Sequence, residues 1–203
     1  MGDPSTVPEG QYATVAMYTA YPQSRGSIHI TGTTLSDVPD FNTGFLSDAH
    51  DIDLRTQLWA YKKQREIMRR TTACKGELAQ RHPKFPEGSK AALLSLNRSQ
   101  QEQSSPWLSP STLTYSQDDN EAIVQFIREN VNTTWHGLGT AKMAPRENGG
   151  VVDKGLNVYG VIGLKCADTS IAPENVGANT GNTAMTIGEK AASIIAAELG
   201  LVL

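Results

Sequence analysis

His136 stands in the run Thr133-Thr134-Trp135-His136-Gly137-Leu138-Gly139-Thr140-Ala141-Lys142-Met143, and a second polar cluster, Asn179-Thr180-Gly181-Asn182-Thr183, follows further along the chain. An imidazole is the side chain best suited to exchange a proton near neutral pH, because small changes of environment move its charge state either way. Gly137 and Gly139 remove side chains beside it, which suits either a close-packed ligand or a plain turn. Asn179 cannot titrate, but its amide donates and accepts hydrogen bonds and could orient a reacting hydroxyl. Taken singly, each residue has a structural reading too. A histidine beside glycines is more commonly a satisfied structural group, and Asn179 could simply cap a turn between Gly177 and Gly181.

The residues around these two carry a wider pattern. Val151-Val152-Asp153, the stretch from Leu156 to Ser170, Pro173, Asn179 and Ile187-Gly188-Glu189-Lys190-Ala191-Ala192 resemble in order and spacing the end of the glucose-methanol-choline (GMC) oxidoreductases. So many positions in register are far more specific than one short motif. Within that family the chain is most similar to the fungal alcohol (methanol) oxidases, through Ser24-Arg25-Gly26-Ser27-Ile28-His29-Ile30, Trp59-Ala60-Tyr61-Lys62-Lys63, Thr133-Thr134-Trp135-His136 and Asn157-Val158-Tyr159-Gly160.

The resemblance implies FAD as cofactor and oxidation of an alcohol to an aldehyde, with oxygen as acceptor. It implies His136 and Asn179 as the catalytic pair, the base and its polar partner. Asp168, Thr169, Thr180, Thr183 and Ala184 become the residues facing FAD, and Trp135 crowds the substrate pocket in favour of short primary alcohols. A small-molecule alcohol and the flavin are the implied partners, with a homo-oligomer as in the alcohol oxidases. The resemblance implies no metal.

The fold it implies is α+β: a mainly antiparallel sheet with helices on one face over residues 1–140, the substrate-binding domain, and a C-terminal strand and helix over 141–203 belonging to the FAD domain. Enzymes of this class bind the adenine end of FAD with an N-terminal βαβ unit carrying Gly-x-Gly-x-x-Gly. No such fingerprint occurs in this sequence. The chain therefore reads as the C-terminal part of such an enzyme, inactive alone, with a non-enzymatic interaction or assembly module from a truncated gene as the alternative.

Composition sets outer bounds. At 203 residues and 38% hydrophobic content the chain can bury a core. A formal charge of −3 without a clustered basic face gives no reason to propose nucleic acid or an anionic membrane as partner. Two distant cysteines, Cys74 and Cys166, fit a reducing compartment and are expected to be buried thiols. The first residues lack a secretory pattern, so an intracellular site is expected; the alcohol oxidases it resembles are peroxisomal, although Leu201-Val202-Leu203 is no Ser-Lys-Leu-type signal.

The elements that must position the site are legible in part. Tyr12 to Tyr21, rich in aromatic, Thr and Val residues, predicts a strand paired antiparallel with a second at Ser27 to Thr31. A helix capped by Asp48 or Asp51 is expected from Ile52, with Leu54, Leu58, Tyr61 and Met68 on one face and its Lys62, Lys63, Arg65, Arg69 and Arg70 as a solvated cationic end. A short helix is expected from Lys90 to Leu96, and residues 98–118 form a polar loop. An acidic start at Asp118 leads a helix with Ile123, Phe126 and Ile127 on one side. Val158 to Ala167 reads as a hairpin or pair of strands, and Thr183 to Leu199 as a helix ended by Gly200.

Overall fold

The computed structural model describes residues 7, 9–71, 74–94, 113–177 and 179–201. Most of the polar loop at 98–118 lies outside them, as do Val202 and Leu203. The chain is α+β, with three α-helices and one small antiparallel sheet among the described residues. Contacts divide it into two discontinuous units, Met1–Thr19 with Asp48–Asn132, and Ala20–Ser47 with Thr133–Leu203. Residues 133–140, which carry His136, thus group with everything that follows them.

The first unit is built on α1 (Ile52–Arg69) against α2 (Gln117–Asn130). Asp48 starts α1: its carboxylate accepts from the backbone N–H of Ile52 (2.6 Å) and Asp53 (3.2 Å), satisfying donors that have no partner within the helix. Ser116 starts α2 through a capping box. Its hydroxyl accepts from Asp119 N–H at 3.1 Å while the Asp119 carboxylate accepts from Ser116 N–H at 2.8 Å. The apolar stripes then meet, burying Leu54 and Tyr61 of α1 and Ile123 and Ile127 of α2 together with Ala91.

The cationic end of α1 is not the solvated face that the sequence suggests. Arg65 and Arg69 are 2% and 7% exposed and converge on Glu77. Arg65 donates from Nε (2.7 Å) and Nη2 (3.0 Å), Arg69 from Nε (3.2 Å) and Nη2 (2.5 Å), and the Leu94 N–H adds a further bond at 3.0 Å. The rings of Phe85, Tyr61 and Tyr115 surround the Arg65 guanidinium. Beside them the Tyr61 hydroxyl and Nδ1 of His82 share a hydrogen bond at 2.7 Å, and burial raises the phenol's pKa and lowers that of the imidazole, which keeps both neutral.

This network also explains why the expected helix at Lys90 to Leu96 does not form over its described part. The carbonyls of Ala91 and Ala92 accept from Arg65 Nη2 and Arg69 Nη2, and the Leu94 carbonyl accepts from Glu77 N–H. Backbone groups bound in this way are withdrawn from helical pairing.

In the second unit β1 (Ser27–His29) pairs antiparallel with β2 (Asp40–Asn42), Ile28 opposite Phe41. The sheet is therefore a short ribbon rather than the main layer expected. The expected strand at Tyr12 to Tyr21 is absent: its side chains favour a pleat, but no neighbouring strand among the described residues supplies a ladder for its backbone. Gly26 and Gly44 close the ribbon's end, where a Cβ on either would collide with the opposing backbone.

The core of this unit is Val152, Leu156, Ile171 and Ala191, with Met143, Val158, Cys166, Ile187 and Ile194 packed against it. Here the expected C-terminal strand is replaced by single bridges, Val152 to Val158 and Asn157 to Lys165. Gly160 and Gly163, both with positive φ, turn the chain too soon for a ladder to extend. Cys74 and Cys166 are free but half-buried, short of the full burial expected. The last helix, α3 (Gly181–Glu198), begins two residues before the expected start. It ends in a Schellman motif: Gly200, at φ +68°, donates to Ala197 and Leu201 donates to Ala196.

Candidate active site

His136 is carried by a backbone ladder. Gly139, Ala141 and Met143 donate in turn to the carbonyls of Thr169 (3.2 Å), Ser170 (2.9 Å) and Ile171 (2.8 Å), and the Thr169 hydroxyl donates to the Gly137 carbonyl at 3.2 Å. Asp168 fixes the other side of this ladder, its carboxylate accepting from Ser170 N–H at 2.8 Å to cap the short turn Thr169–Ile171. Hydrogen bonding from the Ser170 side chain and then from its N–H holds the Asp168 carboxyl below its usual range. Gly139 needs its positive φ of +77°, and a Cβ there would press on the Ala172 carbonyl, whereas one at Gly137 would meet open space. Of the two glycines, only Gly139 is explained by backbone geometry.

From the opposite direction, the start of α3 brings two consecutive residues to the ring. His136 Nε2 lies 2.7 Å from Asn179 Oδ1, and Nδ1 lies 3.3 Å from the Thr180 hydroxyl. The imidazole is half-buried, so one side of this cluster remains open to a reactant. The structure thus brings together His136, Asn179 and Thr180, with Thr169 bound to the residue next to the histidine. Thr183 and Ala184 lie in the first turn of α3, where Ala184 N–H donates to the Thr180 carbonyl. Trp135 precedes the ring at φ +58° and is 77% exposed; its N–H donates to Thr133 Oγ1 at 2.8 Å. The direct contact of Thr180 with the imidazole is the feature that sequence reasoning missed. Its only signal was a hydroxyl next to Asn179.

The first turn of α3 holds no acidic residue and no side-chain cap. The N–H groups of Gly181, Asn182 and Thr183 have no partner within the helix and present a partial positive charge, whereas that of Ala184 is already bonded to the Thr180 carbonyl. This donor set fits the electron-rich edge of a flavin ring, with Thr183 and Ala184 at that turn and His136 and Asn179 alongside. The side chains and the carbonyls of Asp168 and Thr169 are already committed to the ladder and its turn.

Residues 22–188 match the family described as GMC oxidoreductase, and the chain belongs to that family. It is 40% identical to the alcohol oxidase of Pichia angusta, in an alignment of 240 positions covering 98% of this chain and 35% of that protein. With the alcohol oxidase of Candida boidinii it shares 38% identity over 98% of its own length and 36% of the other. An FAD-dependent oxidoreductase from Chaetomium thermophilum has a similar structure, with a TM-score of 0.65, 27% identity, and 90% of this chain and 26% of that one covered. The chain therefore spans about a third of the length of the curated relatives it matches. The first alignment is longer than this chain, so that relative also carries residues within the matched region that this sequence lacks.

Proposed function

We propose that this chain is the catalytic C-terminal part of an FAD-dependent GMC oxidoreductase that oxidises a short primary alcohol to its aldehyde, with oxygen as the final acceptor. The observation that carries the reading is the pairing of His136 Nε2 with Asn179 at 2.7 Å on the open side of the ladder. FAD, when bound, supplies the hydride acceptor. The alcohol's hydroxyl would displace the direct contact between the two side chains, its proton passing to His136 Nε2 as hydride leaves the adjacent carbon. Asn179, turned to present its amide N–H, would donate to the oxygen as negative charge develops there. Thr183 and Ala184 would place the helix N-terminus against the flavin, and backbone atoms of Asp168 and Thr169 would approach the ribityl chain. Trp135 would border the substrate. Residues 1–140 and 141–203 would serve as substrate-binding and FAD-domain segments, with the chain inactive alone.

The test is reconstitution. The purified chain, alone and mixed with the FAD-binding half of an alcohol oxidase, is assayed for bound flavin and alcohol-dependent peroxide. Activity should appear only on mixing; His136→Ala should lower turnover by about 10²- to 10⁴-fold, and Asn179→Ala by about 10²- to 10³-fold. Inactivity of a mixture whose halves are folded and associated would instead favour an assembly module.

A further inference from the structure

We infer that Thr180 is a positioning residue for His136, its hydroxyl able to accept from Nδ1–H and so to support the tautomer in which Nε2 offers a lone pair. The inference deepens the reading of His136 as the base and depends on it. A threonine at the start of a helix ordinarily turns its hydroxyl onto the N–H groups of the first turn from an extended backbone. Thr180 does neither. Its backbone is helical, with φ −83° and ψ −2°, and its side chain makes no cap bond. The hydroxyl lies against His136 Nδ1 instead, at 3.3 Å.

The chemistry of the three groups explains what such a contact does. A neutral imidazole carries one proton on one nitrogen and a lone pair on the other, and the partner of the first decides the role of the second. With Asn179 Oδ1 facing Nε2, that nitrogen donates and Nδ1 holds the lone pair, accepting from the Thr180 hydroxyl. A half-turn of the Asn179 amide exchanges oxygen for N–H without moving its heavy-atom positions. Nε2 then accepts, and the proton sits on Nδ1, donating to Thr180 Oγ1. Only this second tautomer can take a proton at Nε2. A hydroxyl serves both, because it donates and accepts; it also accepts from Nδ1–H once Nε2 is protonated. Valine, of nearly the same shape, would leave Nδ1 without a partner in both tautomers; an orphaned N–H costs more than an orphaned lone pair, so the balance moves to the tautomer in which Nε2 already carries its proton.

The tautomer is read directly by long-range ¹H–¹⁵N correlation of the imidazole rings in the ¹⁵N-labelled full chain, with neither flavin nor alcohol present. The other histidines, His29, His50 and His82, serve as internal controls of folding. Loss of one hydrogen bond predicts an about 2- to 10-fold fall in the Nδ1–H to Nε2–H ratio of His136 in Thr180→Val. Thr180→Ser should restore the wild-type ratio. If Thr180→Val perturbs the control histidines, Thr180→Ala takes its place with the same expectation. An unchanged ratio in a folded valine or alanine variant overturns the inference, as does a serine variant that behaves like valine. Failure of the alcohol oxidation reading would appear separately, as a reconstituted wild type without peroxide production whose His136 still responds to Thr180.

Discussion

Replacing Glu77 with leucine should destabilise the first unit severely, because it strands two buried cations. The Arg65, Glu77 and Arg69 side chains are 1%, 8% and 6% exposed. Burial alone would raise the Glu77 pKa, but the hydrogen bonds and charges of Arg65 and Arg69 outweigh it and bring it from 4.5 down to about 2. That depression is a stability term with a definite sign. It is fully present above the ordinary carboxylate range and is lost as pH falls from about 4.5 through about 2. The difference corresponds to about 3 kcal/mol. Glu77→Leu, which leaves both guanidiniums uncompensated, should cost about 3–5 kcal/mol at pH 7. Glu77→Gln should cost less, since it retains one acceptor. Urea denaturation followed by circular dichroism at pH 7, 4.5, 3 and 2 checks both claims. For a chain of this size a loss of 3 kcal/mol also lowers the midpoint of thermal unfolding by about 6–12 °C. A cost under about 1 kcal/mol for Glu77→Leu, or an acid-dependent loss as steep in Glu77→Gln as in the wild type, would refute the argument.

Asp119 is 1% exposed and joins the Ser116 capping box to the Ser89 hydroxyl at 2.6 Å, so Asp119→Ala should cost about 1–3 kcal/mol in equilibrium unfolding. Gly200→Ala places a Cβ in the left-handed region at φ +68° and should cost about 1–2 kcal/mol by the same measurement. Ile171→Ala opens a cavity in the second core and should cost about 2–5 kcal/mol; its effect on His136 is seen in broadened imidazole resonances, because Ile171 also ends the ladder that carries the ring.

Where the sequence was informative, the cause was a repeating physical pattern. The stripe through Leu54 and Tyr61, the acidic start before Ile123 and the Ala/Ile run closed by Gly200 each state a helix in several positions at once. Single residues carried less. The Lys/Arg run in α1 reads as a solvated end because nothing local reveals that Glu77, beyond the helix, will receive two of its members. Tyr12 to Tyr21 has the side chains of a strand, but pairing depends on a neighbour that its own sequence does not specify. The short apolar segment after Lys90 failed for a related reason, as distant arginines claimed its carbonyls. His136 and Asn179 were legible through the pattern surrounding them. Geometry added which atoms meet and gave Thr180 its place.

The site and the second core share their supports. His136 rides on a strip bonded to residues 169–171, and Asn179 and Thr180 precede a helix whose Ile187, Ala191 and Ile194 pack in the same core as Ile171. The two sides of the His136–Asn179 cluster are thus joined through one set of buried contacts, even though the histidine and the asparagine lie 43 positions apart. A separation of 2.7 Å between side chains on different segments persists only if both segments are fixed, and hydrogen-bond strength falls steeply with small displacements. Loosening Ile171 should therefore disturb both the position and the tautomer of His136, whereas breaking the Glu77 network should leave both unchanged so long as the second unit stays folded. The same imidazole resonances would separate these outcomes, tying the geometry around His136 to one core rather than to the stability of the chain at large.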